Sequence, residues 1–227
     1  MNHTAGSLPA LVENLVKNWE IEASFKTSLN DWRTVDTSSY TFSLNGGPKN
    51  DGNHMLSVGT YNALIGENKY YDPEQSSFDS SHKSFKRMMP VFAWEVIEVY
   101  SGPPTVTFKW RHWGQMKNDY VGFNSCVPPP PPPPRDYRFT PALSNYSLAC
   151  VLTVPGYRKG EKVKVKAHGG MIDFEGIVVA KVNDALKLES IEVWYDPMVM
   201  FRQIDKENTM EIVPPAGSAA GGCPVAH

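Results

Sequence analysis

One segment, which begins VFAWEVIEV and ends TVTFKWRHW, constrains the fold of this 227-residue chain more than any other. It predicts two β-strands joined by a tight Ser-Gly-Pro-Pro turn. Successive side chains of a strand point to opposite faces, so Phe108, Trp110 and His112 are expected on one face. Lys109 and Arg111 are expected on the other. A face that combines large aromatic rings with a histidine predicts the lining of a small-molecule cavity.

The composition of the chain argues against several classes of protein. A formal net charge of -2 and a pI near 6.3 provide no basic surface, so nucleic acid is not expected as a partner. No apolar run approaches the roughly 18 residues that cross a bilayer, and the N-terminus lacks the basic-then-apolar order of a secretory signal. We therefore expect a cytoplasmic protein without a membrane partner. The three cysteines are an odd number and predict no disulfide framework.

The hydrophobic periodicity predicts helices first and strands afterwards. Apolar residues at helical spacing behind a serine cap predict a helix from Ser7 to Thr27. Further helices are expected from Asp51 to Ile65 and from Asp72 to Met89. In the rest of the chain apolar and polar residues alternate, which predicts a series of β-strands, and a helical turn from Pro197 to Ile204 follows them. This order predicts a segregated α+β domain in which the helices cover the concave face of a bent sheet.

The segment from Ser125 to Arg158 does not fit this pattern. It contains seven consecutive prolines, Pro128 to Pro134, followed by chain with no steady period. Proline cannot donate a backbone hydrogen bond to a sheet, so we expect an insertion at a hairpin tip of one domain, residues 8–204. A proline-rich ligand, a lineage-specific loop and a translated intron all stay open as explanations. The Gly- and Pro-rich tail, residues 214–227, is expected to be disordered.

Three residues are candidates for acid–base chemistry. His112 shares its strand face with large aromatic residues, and a desolvated imidazole can exchange a proton near neutral pH. His82 is predicted on the buried stripe of the third helix, either as a base that faces the cavity or as a core histidine with a satisfied hydrogen bond. Asp196, in the sequence WYDP, is either a cavity carboxylate or the cap of the closing helical turn.

Aromatic residues are expected to form the ligand-binding walls or the core rather than to stack on a cofactor: Tyr61, Phe85, Trp94, Phe108, Trp110 and Trp194. The histidines lack HxH or HxxxH spacing, so no metal is expected. The sequence has no GxSxG motif, which would indicate a serine nucleophile. It also has no GxGxxG or GxxxxGK[ST] motif, which would indicate a nucleotide-binding site. The sequence therefore predicts no cofactor.

Several blocks of the sequence resemble the pathogen-related proteins of plants and their fungal relatives. The most specific block is SSHKSFKRMMPVFAWEVIEVYSGPPTVTFKWRHWG, and HMLSVGTYNALIG, KNDYVGF and EVWYDPMVMFRQI add to it. These proteins belong to the SnoaL-like branch of the nuclear-transport-factor-two-like superfamily. The resemblance covers residues 8–204 apart from the insertion, and the relatives pass almost directly from DYVGF to KGEKV.

The resemblance implies a cone-shaped α+β barrel, in which a strongly curved antiparallel sheet packs against three N-terminal helices around an apolar cavity. Two functions follow from it. One is a cofactor-independent cyclase, isomerase or dehydratase that acts on a hydrophobic carbonyl compound by general acid–base catalysis. The other is a non-catalytic, stress-related protein that binds a small hydrophobic molecule. SnoaL-type cyclases use an aspartate and a histidine, of which Asp196 and His112 are loose positional analogues. A homodimer through the outer sheet face is also expected.

Overall fold

The computed structural model describes residues 3–125 and 160–214 of the chain. Within them the helices are α1 (Leu8–Phe25), α2 (Gly52–Val58), α3 (Thr60–Leu64), α4 (Lys83–Met88) and α5 (Pro197–Ile204). The strands are β1 (Thr41–Leu44), β2 (Asn50–Asp51), β3 (Phe92–Ser101), β4 (Thr105–Gln115), β5 (Tyr120–Phe123), β6 (Lys162–Val165), β7 (Met171–Val182), β8 (Leu188–Trp194) and β9 (Glu211–Ile212). Apart from Ser125 and Pro214, the predicted insertion and tail lie outside the described residues. None of the described helices has the length and apolarity needed to cross a bilayer.

These strands form two sheets. One has the order β2-β1-β8-β7-β4-β3 and the other the order β5-β6-β9. The α+β class is confirmed, but the expected all-antiparallel sheet is mixed, because β1 and β8 pair in parallel. A long stretch of chain separates these two strands, and a long connection allows either direction of pairing. The larger sheet ends at β2 and β3 and does not close, so the barrel expected from the resemblance is not confirmed.

Helix α1 forms where the pattern predicts it and lies over the inner face of the larger sheet. Ser7 caps it, since its hydroxyl accepts a hydrogen bond of 3.4 Å from the Ala10 N–H, and a proline stands in the first turn. Its buried stripe includes Val12, Trp19 and Ala23. The Trp19 indole donates a hydrogen bond of 3.0 Å to the Tyr40 hydroxyl. This bond fixes the middle of α1 against the chain that leads into β1.

The second predicted helix is two short helices, α2 and α3, because Gly59 breaks it. Its φ of +94° lies in the region that favours glycine, and a Cβ there would come within 2.7 Å of the Ser81 hydroxyl oxygen. The Thr60 hydroxyl then donates a hydrogen bond of 2.7 Å to the Ala23 carbonyl. This buried bond ties the start of α3 to the last turns of α1.

The third predicted helix, from Asp72 to Met89, is mostly absent. The chain forms a 3-10 turn at Pro73–Gln75 and becomes helical again only at α4. Asp72 caps the 3-10 turn, and the Ser80 hydroxyl accepts a hydrogen bond of 2.8 Å from the Ser77 N–H. Serine and aspartate side chains that bond to nearby backbone compete with a continuous helix, and here they prevent one.

Glu22 fastens α1 to the loop that follows it. Its buried carboxylate accepts hydrogen bonds from the backbone N–H groups of Arg33 (2.8 Å) and Thr34 (2.9 Å), from the Thr34 hydroxyl (2.6 Å) and from the Lys26 ammonium (2.8 Å). Burial alone would raise the pKa of Glu22. The hydrogen bonds outweigh it and lower this pKa to about 2.

The Glu22→Gln substitution is expected to lower the free energy of unfolding by about 2 kcal/mol near neutral pH, because charge-assisted hydrogen bonds are lost. The folded-state pKa of Glu22 lies below that of an unfolded glutamate, about 4.3. The carboxylate therefore stabilises fully above that value, and its contribution disappears as the pH falls towards 2. Denaturant unfolding of both proteins across this range measures the effect. A difference between them that does not shrink in acid would contradict the assignment.

Strands β5 and β6 form a hairpin whose ends meet at the insertion. Phe123 pairs with Lys162. Beyond this pair, the Asn124 N–H donates to the Glu161 carbonyl, the Glu161 N–H donates to Asn124 Oδ1, and the Gly160 N–H donates to the Asn124 carbonyl, each at 2.9 Å. The two strands are therefore held together by described residues on both sides of the insertion.

Ser125 packs with the domain, one residue inside the predicted insertion. It is 2% exposed, its N–H donates a hydrogen bond of 2.9 Å to the Asn68 carbonyl, and its hydroxyl donates one of 2.9 Å to Glu67. A deletion of the insertion should therefore begin at residue 126.

Deletion of residues 126–158 is expected to leave the melting temperature unchanged or higher, because the hairpin ends already meet and a shorter loop costs less entropy to close. The matched control also removes Ser125. It should melt lower, because two hydrogen bonds of a buried residue are lost, at about 1 kcal/mol each. Calorimetry compares both with the full chain. A drop of more than a few degrees for the shorter deletion would mean that it removes a packed element.

Candidate functional site

A cavity of about 330 Å³ lies between α1 and the inner face of the larger sheet. Its lining is almost entirely apolar, and the side chains come mainly from α1, α3 and the four strands β3, β4, β7 and β8, among them Val16, Leu64, Phe92, Trp94, Val106, Phe108, Phe174, Val178, Ala180 and Ile191. Leu8, Leu11 and Leu186 line it and are exposed, so the cavity reaches the surface between the start of α1 and the β7–β8 turn.

The predicted register of β4 is confirmed. Trp110 is 6% exposed and lines the cavity, whereas Lys109 and Arg111 point to the other face. There Lys109 forms an ion pair with Glu175, and Arg111 donates hydrogen bonds to Asp173, one of them 2.9 Å from Nε to Oδ1. The outer face of β4 and β7 is therefore charged, and the inner face is apolar.

Trp110 forms part of the cavity wall because the neighbouring strand carries a glycine. Gly176 pairs with Trp110, and a Cβ at Gly176 would lie only 2.3 Å from the Trp110 ring atom Cζ2. The indole therefore lies flat across β7 and meets Phe174 and Tyr195 edge-on, with ring centroids 5.8 and 5.5 Å away. Any larger residue at position 176 would push this ring into the cavity.

His112 lines the cavity within a stack of aromatic rings. Its ring centroid is 3.5 Å from that of Phe92 and 5.6 Å from that of Phe174. Burial lowers the pKa of His112 to about 3, against a smaller opposing effect of the Ala93 backbone. Nδ1 is buried and has no hydrogen-bond partner in the described part of the chain. His112 is therefore a neutral imidazole at physiological pH.

The other two candidate catalytic residues lie outside the cavity lining. His82 precedes α4 and meets the Phe25 ring edge-on at 5.4 Å. Asp196 caps α5, with Oδ1 accepting from the Met198 N–H at 2.8 Å and Oδ2 accepting from Arg202 at 2.7 Å. The fold therefore does not bring His82 or Asp196 next to His112. The helix-capping alternative for Asp196 agrees with this geometry.

The six aromatic candidates separate into three groups. Tyr61, Trp94, Phe108 and Trp110 line the cavity. Phe85 is fully buried behind Tyr61, with the two rings stacked at 5.3 Å. Trp194 is 45% exposed and covers Gly46 instead of lining the cavity.

Glu20 and Tyr195 also line the cavity, although the sequence reasoning did not select them. Burial raises the pKa of Glu20, and the charge of Lys86 opposes this rise. The sequence did indicate the position of Glu20, because it follows Val12 and Val16 at four-residue intervals and so shares the apolar face of α1 with them. The Tyr195 hydroxyl donates a hydrogen bond of 2.6 Å to the Leu64 carbonyl, and so it joins the sheet to α3.

A protein of Hordeum vulgare named pathogen-related protein is 28% identical to this chain over 228 residues. The match covers 97% of this chain and 77% of the barley protein. The chain is a homologue of pathogen-related protein. The resemblance expected from the sequence blocks is thereby confirmed. No family model matches the chain.

Solved structures show a weaker likeness to this chain. A candidate SnoaL-like polyketide cyclase from Jannaschia sp. CCS1 is 10% identical, with a TM-score of 0.40, over 90% of this chain and 96% of its own. IdmH, a candidate polyketide cyclase from Streptomyces antibioticus, is 9% identical, with a TM-score of 0.40, over 87% and 99%. A de novo designed NTF2-fold protein is 8% identical, with a TM-score of 0.36, over 91% and 96%.

A metal ion has no evident place in the described part of this chain. No three His, Cys, Asp or Glu side chains of residues 3–125 and 160–214 are grouped so that they could hold one. The polar groups at the cavity are instead Glu20, Thr60, Tyr61, His112 and Tyr195, together with the Trp19 and Trp110 indoles.

His112 is expected to stay neutral throughout the pH range from about 8 to about 4, because burial lowers its pKa to about 3. The ring nitrogen chemical shifts of ¹⁵N-histidine-labelled protein measure this, and a His112→Gln sample assigns the signal. A His112 titration with a midpoint above about pH 5 would mean that the ring is more hydrated than the stack between Phe92 and Phe174 allows.

Proposed function

We propose that this protein binds a small hydrophobic molecule in the cavity between α1 and the larger sheet. The observation that carries the proposal is the cavity of about 330 Å³ with an almost entirely apolar lining. Ligand pockets have about this size and character, and each ligand CH₂ group that leaves water contributes about 0.8 kcal/mol. The exposed Leu8, Leu11 and Leu186 at the opening offer an apolar route of entry.

The cavity agrees with the architecture that the sequence resemblance implies. In that architecture the larger sheet and the helices at its inner face correspond to the cone-shaped barrel of SnoaL-like proteins. The position of α1 over the inner face, with the cavity beneath it, supports this part of the proposal.

The second candidate is a cofactor-independent cyclase, isomerase or dehydratase. Glu20 favours it, because a carboxyl group whose pKa burial raises, at the wall of an apolar cavity, is a candidate general acid or base. His112 does not favour it as the base, since an imidazole with a pKa of about 3 is too weak to remove a proton from carbon efficiently. In this candidate His112 acts as a neutral hydrogen-bonding group.

The Ala180→Leu substitution tests the binding proposal. Ala180 lines the cavity on β7 and is 4% exposed, so a leucine there is expected to occupy ligand volume. Binding of the neutral fluorescent probe N-phenyl-1-naphthylamine should weaken at least tenfold, which corresponds to about 1.4 kcal/mol. The melting temperature should stay the same or rise, because a void is filled.

Val179→Leu is the matched control. It lies next to Ala180 on the same strand but on the opposite face, so it should leave probe affinity unchanged. Equal weakening by both substitutions, or by neither, would show that the probe binds elsewhere and would overturn the proposal.

A further inference from the structure

We propose that the cavity selects hydrophobic molecules that carry one hydroxyl group, and that Glu20 and Tyr61 together recognise this hydroxyl. The inference rests on the proposed function, because it names the class of ligand for the same cavity. Both residues line the cavity where α1 approaches α3, and nearly all of the remaining lining is hydrocarbon. A ligand that fills this volume is therefore apolar over most of its surface.

The position of Tyr61 is fixed from two sides. The hydrogen bond of 2.7 Å from the preceding Thr60 to the Ala23 carbonyl anchors α3 on α1. The Tyr61 ring also stacks on the fully buried Phe85 at 5.3 Å, with 17° between the ring planes. Its hydroxyl has no hydrogen-bond partner in residues 3–125 or 160–214, and burial raises its pKa. Tyr61 therefore offers a preorganised, neutral O–H group to the cavity.

Glu20 lies one helical turn before Ala23, the residue that anchors α3. Its carboxyl group likewise has no hydrogen bond within the described part of the chain, and Lys86 acts on it through charge alone. Glu20 and Tyr61 line the same cavity, and the charge of Glu20 adds to burial in raising the pKa of Tyr61. Two polar groups without partners in the described residues, at the wall of an apolar cavity, are available to a polar group of a ligand.

A hydroxyl group matches this pair better than other functional groups do. It can accept a hydrogen bond from the Tyr61 O–H and donate one to the Glu20 carboxyl group. A ketone only accepts and leaves the carboxyl group unsatisfied. A carboxylate is repelled by Glu20, and an ammonium group can only donate, so it cannot accept a hydrogen bond from the Tyr61 O–H. The chemical class is therefore a neutral alcohol or phenol with a compact hydrocarbon body.

Three probes with one carbon skeleton test this inference: cyclododecane, cyclododecanone and cyclododecanol. Each is measured by its displacement of N-phenyl-1-naphthylamine. Glu20→Leu should weaken the binding of cyclododecanol about fivefold to tenfold, the value of one hydrogen bond, and leave the binding of the ketone unchanged. Tyr61→Phe should weaken the binding of both oxygen-containing probes. Neither substitution should weaken the binding of cyclododecane, which depends only on the shape of the cavity.

Tyr100→Phe is the control for loss of a tyrosine hydroxyl, because Tyr100 is 52% exposed and does not line the cavity. It should change no affinity. Glu20→Gln has both an acceptor and a donor, so it should keep most of the cyclododecanol affinity. Glu20→Met, which also removes the acceptor, replaces Glu20→Leu if the leucine protein does not fold.

The two proposals fail in different ways. If cyclododecane does not displace the fluorescent probe and Ala180→Leu has no effect, the cavity does not bind ligands and the proposed function is wrong. If cyclododecane binds but Glu20→Leu and Tyr61→Phe leave cyclododecanol unchanged, the cavity binds ligands and only the recognition of a hydroxyl group is wrong.

Discussion

The long antiparallel pairing of β4 with β7 is the interaction on which the rest of the site depends. It runs without a shift from Thr105 to Gln115 of β4, so the inner and outer faces stay the same along the whole strand. It also places Trp110 across Gly176 and keeps Arg111 on the outer face. A slip of one residue would exchange the two faces and bring charged side chains into the cavity.

The cavity exists because its two walls do not fill the space between them. On β7 the inner residues Val178 and Ala180 are small, and they face large rings on β3 and β4, whereas Phe174 stands at the other end of the same strand. Helix α1 cannot move down to close the gap, because Glu22 and the Thr60–Ala23 hydrogen bond hold its last turns in place. An apolar space of this kind accepts apolar molecules. The proposed function thus follows from packing that is incomplete.

Sequence periodicity and capping residues predicted the features of the fold that depend on residues close together in the chain. The alternation of Phe108, Trp110 and His112 identified three residues of the cavity wall, and α1 and α5 begin close to their predicted caps. The parallel pairing of β1 with β8 joins residues far apart in the chain and leaves no periodic signal. His82 was misplaced because serine hydroxyls interrupt the expected helix. Glu20 was missed because only apolar residues were counted on the stripe of α1.

The central claim is that a hydrophobic molecule occupies the space between α1 and the inner face of the sheet. Intermolecular nuclear Overhauser effects between bound cyclododecanol and the methyl groups of this protein test it most directly. Cross-peaks are expected to Val178, Ala180 and Ile191, which line the cavity. None are expected to Ile177 or Val179 on the outer face. Cross-peaks to the outer-face methyl groups alone would mean that the molecule does not bind in this space.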